Sequence, residues 1–380
     1  MKTALTPARF RTLILNWFDQ HGRKLLPWQI NKTPYRVWLS EIMLQQTQVN
    51  TVIPYFLRFL QQFPDLRSLA SAHEDAVLHL WAGLGYYSRA RNLHRAAQWL
   101  TQHSAGEFPD EIDKLIAIPG IGPSTAGAIS ALAFNKRATI LDGNVKRVLA
   151  RLHGIRTPIN EKKTEKALWD IAENYTPNKR IADYTQAMMD LGATCCTRAN
   201  PTCTTCPLKQ HCVAYDLGIV NKLPAKKATK TLPIKQATFV ILKKGEAVLL
   251  QKRPSSGIWG GLWSLPEIVG KPNKKKVRAF CLDQFQLSIA DFKSLSSFRH
   301  TFTHYHLDIF PVLVTLQTKL PKKVDDQLQI WYNPEHPEPI GLPKPIQTIM
   351  RQFYDPAHPL RKIKQRSRGA RTTSPTGRTR

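Results

Sequence analysis

The stretch Leu115-Ile116-Ala117-Ile118-Pro119-Gly120-Ile121-Gly122-Pro123-Ser124-Thr125-Ala126-Gly127-Ala128-Ile129 constrains this chain more than any other part of it. It sets a short Gly/Pro turn between two apolar stretches of helical character. Gly120 and Gly122 lack the side chains that would hold backbone N–H groups away from an anion. Pro123 suits the first turn of a helix, whose positive end also favours negative charge. One reading is a helix, a hairpin and a second helix closing on a phosphate; the other is an ordinary Gly/Pro connection, and the turn alone leaves both open. Just downstream, Ile140-Leu141-Asp142-Gly143-Asn144-Val145 carries a single carboxylate.

Charge narrows the choice. Lys and Arg number 55 against 27 Asp and Glu, a net +28 over 380 residues. Such an excess favours a polyanionic partner through counterion release. Residues 361–380 hold eight of these bases and no acid, yet the remaining 47 still exceed the 27 acids, so the body of the chain is basic as well. The length exceeds one ordinary core and predicts two domains. Near the start, Phe10, Ile14, Trp17 and Phe18 follow helical spacing, and Asn16 and Asp19 break the apolar run. An amphipathic first helix is expected there rather than a signal peptide. No apolar run reaches membrane-spanning length, and six clustered cysteines suit a reducing compartment, so a cytoplasmic protein with no membrane partner is expected.

Apolar periodicity predicts a mainly helical domain over residues 1–216. Residues 217–235 change to Lys, Pro, Ala and Thr and read as a solvated linker. An α+β domain is expected over 236–356, where Thr238–Leu242 and Ala247–Leu250 flank Lys243-Lys244-Gly245-Glu246 as two strands of a hairpin would. Residues 357–380 are Arg/Ser/Thr/Pro-rich without periodicity and are expected to be a disordered basic tail.

Two further features carry chemistry. Cys196, Cys203, Cys206 and Cys212 follow C-x6-C-x2-C-x5-C, so four thiolates can converge on one centre. A zinc site of four cysteines is one occupant, but zinc ribbons usually pair two short knuckles, whereas here one knuckle is flanked by single cysteines, a spacing associated with a [4Fe–4S] cluster. Cys195 adjoins Cys196, so the register rests on spacing alone; Cys281 lies in the other domain and is expected to be a core thiol. In Val37-Trp38-Leu39-Ser40-Glu41-Ile42-Met43-Leu44, Glu41 shares a helical face with Val37 and Leu44. Desolvation there would raise its pKa and let it donate a proton near neutral pH; an edge glutamate paired with an arginine is the plainer alternative.

Taken together, the hairpin, Asp142, Glu41 and the cysteines resemble the helix-hairpin-helix DNA glycosylase superfamily, and within it the adenine DNA glycosylases of the MutY type. The resemblance covers nearly the whole chain. Its specific pieces are Ser40–Val49, Gly83-Leu84-Gly85-Tyr86-Tyr87, Ile118–Gly122, Leu141–Val145 and the cysteine spacing. It implies a helix-hairpin-helix glycosylase domain with a [4Fe–4S] loop at 196–212 and a Nudix-like C-terminal domain. It also implies excision of adenine opposite 8-oxoguanine or guanine in double-stranded DNA, by a monomer. Glu41 would be the general acid, Asp142 the stabiliser of an oxocarbenium-like sugar, and Asn144 its orienting neighbour. Gln45, Gln46 and Tyr86 would fill the space left by a flipped nucleotide, while Gly120 and Gly122 grip its backbone. Trp28, Gln186 and Met189 would line the adenine pocket, although Trp28 and Met189 also suit a core.

Position 124 separates two chemistries within that superfamily. The endonuclease III type has a lysine at the matching place, which attacks the sugar and leads to strand cleavage. Ser124 cannot form a Schiff base, so the resemblance implies a monofunctional enzyme. In the second domain, Phe302-Thr303-His304 matches a Phe-Ser-His loop that recognises 8-oxoguanine, with threonine for serine. Nudix hydrolases hold Mg²⁺ on a glutamate-rich helix, but Lys274-Lys275-Lys276-Val277-Arg278 is basic, so recognition is expected there rather than hydrolysis. His300, His304, His306 and Asp308 share strand parity; strung along one strand they could not converge on an ion. The alternatives are a thymine mismatch glycosylase on the same scaffold and a non-catalytic four-cysteine DNA-binding module.

Overall fold

The computed structural model describes residues 5–225, 231–317 and 328–354, and the tail expected to be disordered lies outside them. The described residues form two compact units, one from 5–80 with 88–225, the other from 81–87 with 231 onward. In the first, every helix or strand is helical: α1 (Pro7–His21), α2 (Pro34–Leu44), α3 (Val49–Gln62), α4 (Leu66–Ser71), α5 (Glu74–Trp81), α6 (Ser88–His103), α7 (Ile112–Ile116), α8 (Pro123–Phe134), α9 (Gly143–Leu152), α10 (Lys162–Tyr175), α11 (Ile181–Asp190) and α12 (Val213–Asp216).

The pattern of apolar residues explains how they pack. Val145, Val148, Leu149 and Leu152 recur at helical spacing on α9 and are all buried, as are Phe10, Ile14, Trp17 and Phe18 on α1. These stripes join Tyr184, Ala187 and Met188 of α11 in one core, and Phe10 stacks on Tyr175 with ring centroids 3.9 Å apart. Thr6 and Thr33 cap α1 and α2 by accepting from the N–H groups of Arg9 and Arg36. The stretch read as a solvated linker is anchored at its start: Leu223 is buried and its carbonyl accepts from Arg151 Nε at 2.9 Å. The composition of that stretch could not reveal a partner some seventy residues upstream.

The second unit contains two sheets. One is built from β1 (Ile234–Ile241), β5 (Glu267–Val269), β6 (Ile289–Ser294), β7 (Phe298–Thr301) and β8 (His306–Leu316). The other contains β2 (Lys243–Lys244), β3 (Ala247–Lys252), β4 (Trp263–Ser264) and β9 (Gln329–Tyr332). Helix α13 (Lys274–Phe285) buries Val277 and Cys281, the expected core thiol, and α14 (Lys344–Tyr354) follows β9. The expected hairpin forms, but with a shorter first arm: β2 pairs antiparallel with β3 and the Leu249 N–H donates to the Leu242 carbonyl at 3.0 Å, whereas residues 238–241 belong to β1, between β5 and β8 in the first sheet. In the second sheet β3 also pairs with β4 and β9. Residues 237–241 of β1 are continuously buried, as suits a strand paired on both sides. The His300–Asp308 stretch is likewise a hairpin of β7 and β8, with His300 opposite Leu307, and not one extended strand.

Glycine 127 sets how closely α8 can lie on the chain leading to Asp142. A Cβ at that position would fall 2.2 Å from the carbonyl oxygen of Thr139. Gly127→Ala should therefore cost about 1–3 kcal/mol of stability through overpacking, measured as a shift in the urea midpoint; an unchanged midpoint would show that α8 yields freely.

Candidate active site

Helix α2 carries Glu41 in the middle of a face otherwise made of Val37 and Leu44, and the side chain is part-buried. Burial pushes its carboxyl up to about 8, and the nearby charge of Asp142 adds to the effect. Asp142 lies at the start of α9. Its side chain accepts the N–H of Val145 at 2.8 Å and the amide of Asn144 at 3.0 Å, which makes it both the helix cap and the partner of Asn144. Burial raises its carboxyl, while these donors and the charge of Arg147 pull the other way. Both carboxyls are thus raised by desolvation, and only at Glu41 does the charge of its neighbour add to the rise, whereas at Asp142 hydrogen-bond donors oppose it.

Asn144 is held from its other side. Its side-chain oxygen accepts from Arg147 at 2.9 Å, and the same guanidinium donates to the carbonyls of Gly192 at 2.7 Å and Cys196 at 2.8 Å. Gly192 permits this approach, since a Cβ there would meet the Asn144 Cβ at 2.5 Å. Arg151, one turn on and 1% exposed, donates to the Thr197 carbonyl at 2.7 Å and reaches the Cys196 sulfur at 3.4 Å. Thus α9 joins the carboxylate to the cysteine loop through two arginines. Neither was singled out in the sequence, where they read as ordinary bases on an amphipathic helix.

Other expected residues take plainer roles. Ser124 accepts the N–H of Leu141 at 3.0 Å, so its hydroxyl fixes the strand of chain entering Asp142. Gln45 and Gln46 occupy the turn that ends α2, with Gln46 in the left-handed region at φ 57°. That end is capped by buried Arg89, whose guanidinium donates to the carbonyls of Ile42, Met43 and Gln45. Arg89 was missed because nothing local to α6 reveals a contact with α2. In the hairpin between α7 and α8, Ile118 and Ile121 are buried as anchors, while Gly120 and Gly122 face outward. Gly120 has φ 81°, and α8 starts at Pro123, where first-turn N–H groups have no partner within the helix.

The adenine-pocket expectations fare unevenly. Trp28 is buried against Phe56, with ring centroids 5.4 Å apart, and is core. The Gln186 amide donates to Asp190 at 2.9 Å, and Met189 is part-buried against the helical core. Asp190 is fully buried and is also held by the Arg23 backbone N–H at 2.8 Å and the Arg23 guanidinium at 2.5 Å. This part-buried ion pair escaped the sequence because its members lie 167 positions apart.

Tyr86 and the 302–304 loop belong to the second unit. Tyr86 is 44% exposed with φ 49°, in a loop where the Trp81 indole donates to the Gly85 carbonyl at 3.2 Å. A left-handed non-glycine backbone is a modest strain of the kind that accumulates at functional positions. Phe302 packs on Trp259, Tyr305 and His300, which leaves Thr303 and His304 exposed at the tip of the β7–β8 hairpin.

The cysteine loop presents its four sulfurs part-buried and free of disulfides. Burial pushes the Cys203 and Cys212 thiols up, and the charge of Cys196 adds to each. The Cys206 thiol is raised by the neighbouring Cys195 thiol and by burial. Crowded thiols of this kind are what a cationic centre would relieve, so the donor chemistry fits a metal or cluster. Among the described residues, no three His, Cys, Asp or Glu side chains already converge tightly enough to hold a single metal ion.

Comparison with known proteins bears on this geometry. The family model for HhH-GPD superfamily base excision DNA repair proteins matches residues 39–174, and that for the NUDIX domain matches residues 237–352. An adenine DNA glycosylase of Buchnera aphidicola subsp. Acyrthosiphon pisum (strain APS) is 43% identical over 92% of this chain and 99% of its own length. The adenine DNA glycosylase of Homo sapiens is 33% identical over 78% of this chain and 65% of its own. Among solved structures, a thermostable thymine-DNA glycosylase superposes with a TM-score of 0.51 at 26% identity, over 56% of this chain and 97% of that one. No described helix is long and apolar enough to cross a membrane.

The raised Glu41 carboxyl has a thermodynamic consequence. The folded state holds this proton up to about pH 8 while an unfolded chain releases it near 4.5, so Glu41 makes unfolding easier as pH rises between those values. Glu41→Gln removes that penalty. In urea unfolding the variant should gain on the order of 1–3 kcal/mol over wild type at pH 8 and little at pH 4; a difference independent of pH would contradict the assignment.

Proposed function

Because the chain belongs to the adenine DNA glycosylase family, we propose that it excises adenine mispaired with 8-oxoguanine or guanine, with Glu41 as general acid and Asp142 as the carboxylate serving the sugar. The observation that supports this reading is the pair of buried carboxyls, Glu41 raised to about 8 by desolvation and the charge of Asp142, and Asp142 surrounded by donors that favour its anion. Adenine leaves poorly as an anion. A Glu41 that keeps its proton to about pH 8 can donate it to a ring nitrogen, so that the base departs neutral.

The sugar left behind develops positive charge at its anomeric carbon. Asp142, its anionic form favoured by Val145 N–H, Asn144 and the positive end of α9, can stabilise that charge or capture the carbon covalently. Glu41, now deprotonated, then serves as base for the attacking water. Asn144 and Arg147 are positioning residues that hold the Asp142 carboxylate. Position 124 carries a hydroxyl already accepting from Leu141 N–H, and no amine, which supports a monofunctional glycosylase.

Reaching a stacked adenine requires flipping it out of the duplex, at a cost of about a few kcal/mol. Gly120 and Gly122 would grip the backbone while Gln45, Gln46 and Tyr86 occupy the vacated space. Trp28, Gln186 and Met189 would border the extruded base, Trp28 as a supporting wall. Phe302, Thr303 and His304 would read the opposite base, the Thr303 hydroxyl standing in for that of serine. Cys196, Cys203, Cys206 and Cys212 would hold one [4Fe–4S] cluster, which when bound supplies a rigid cross-link for the loop that Arg147 and Arg151 hold. The same proposal has the protein acting as a cytoplasmic monomer on duplex DNA.

Single-turnover release of free adenine from a duplex with one adenine opposite 8-oxoguanine tests the assignments. Glu41→Gln and Asp142→Asn should each slow release by about 10²–10⁴-fold while leaving mismatch binding intact, and the wild-type rate should fall as pH rises through the Glu41 value of about 8. Release of thymine instead of adenine would favour the thymine glycosylase reading, to which the thermostable structural neighbour lends its likeness. Unaltered turnover in both variants would favour another mechanism. Borohydride should trap no covalent enzyme–DNA adduct on the mismatched duplex; trapping as efficient as a lyase gives would overturn the monofunctional assignment.

A further inference from the structure

Helix α2 ends in a turn whose backbone is held from outside. The Leu44 carbonyl accepts from the Thr47 N–H at 3.1 Å, and between them Gln46 takes the left-handed backbone at φ 57°. A helix that stops this way usually places glycine there, because a Cβ is strained in that region. Glutamine at this position gives up local stability to present a side chain. The buried Arg89 of α6 supplies the restraint. Its Nη1 donates to the carbonyls of Ile42 and Met43 at 2.9 Å and of Gln45 at 2.6 Å, and its Nη2 reaches the Thr47 hydroxyl at 3.3 Å. That hydroxyl in turn donates to the Gln45 carbonyl at 3.3 Å. The guanidinium therefore clasps the carbonyl end of α2 and the turn beyond it, on both sides of Gln46.

The same helix seats the hairpin. Asn92 lies three positions after Arg89, on the same face of α6. A Cβ at Gly120 would fall 2.7 Å from the Asn92 Cβ, so glycine there serves close approach to α6 as well as its φ of 81°. Gln45, Arg89, Asn92 and Gly120 line one small cleft. A helix rises about 1.5 Å per residue and is stiff along its axis, so the two contact points on α6 keep a set spacing. Resting on the glycosylase reading above, we infer that Arg89 is a positioning residue for nucleotide extrusion: it holds the Gln45–Gln46 turn at a fixed distance from the Gly120 hairpin. Unstacking a base is offset only if the vacated space is filled as the base leaves. A turn locked to the helix that seats the backbone grip can fill it without first being ordered.

A double-mutant cycle on the full chain, with a duplex carrying one adenine opposite 8-oxoguanine, tests the inference. Arg89→Lys keeps the charge but loses the fork. It should slow single-turnover adenine release by about tenfold, and weaken comparably the fluorescence rise of 2-aminopurine placed at the adenine position, which reports unstacking. The pH at which the rate falls should match wild type, because Glu41 is untouched. In a Gln45→Ala/Gln46→Ala background, where no glutamine side chains remain to be positioned, the same substitution should change release by less than about twofold. A loss of about tenfold that persists in that background overturns the inference, as does a shifted pH profile or an Arg89→Lys protein that matches wild type. If Arg89→Lys does not fold, Thr47→Val, which trims one hydroxyl from the same clasp, carries the cycle at about threefold. Wild-type protein that released no adenine would overturn the glycosylase reading instead, and the inference with it.

Discussion

The bond from the Val145 N–H to the Asp142 carboxylate, 2.8 Å long, does two things at once: it starts α9 and it aims the carboxylate. Capping of this kind commonly contributes about 1 kcal/mol to a helix, yet here its larger effect is directional. Once α9 begins at Gly143, Asn144 falls where its amide reaches Asp142, and Arg147 and Arg151 follow at helical spacing toward the cysteine loop. The buried stripe Val145, Val148, Leu149 and Leu152 fixes the rotation of the helix against the core. Packing free energy from one face therefore orients the polar groups on the other.

A second constraint is electrostatic. Two carboxyls brought together out of water cannot both ionise cheaply, and the surrounding donors decide which does. Asp142 has a backbone N–H, an amide and the positive end of a helix; Glu41 has mainly apolar neighbours on α2. The protein itself therefore solvates the two carboxyls unequally: donors oppose the rise at Asp142, while the Asp142 charge adds to the rise at Glu41. Tight backbone approach makes it possible: Gly127 lets α8 lie against Thr139, and Gly192 lets the cysteine loop reach Asn144.

Much of this was legible in the chain before folding. Helical spacing gave α1 and the Glu41 face, and the Gly/Pro turn gave the hairpin, because both depend on short-range periodicity and backbone freedom. Local order failed where pairing was remote. The run Thr238–Leu242 enters the expected hairpin only at Leu242, because residues 238–241 pair with β8, which lies some seventy residues on and was invisible to local order. The same blindness hid the Arg23–Asp190 pair, the Arg89 cap on α2 and the anchoring of Leu223.

The sequence by itself determined which residue types were available and where the chain must turn: two carboxylates, a hydroxyl where an amine would change the chemistry, clustered thiols, and glycines at the hairpin. Those are properties of covalent structure and local backbone preference. Only the tertiary structure decided that the Asp142 charge adds to the rise of Glu41, that Ser124 holds Leu141, and that α9 ties the carboxylate to the cysteines. Burial, and the distances between groups far apart along the chain, set those properties, and both come into being only when the helices pack.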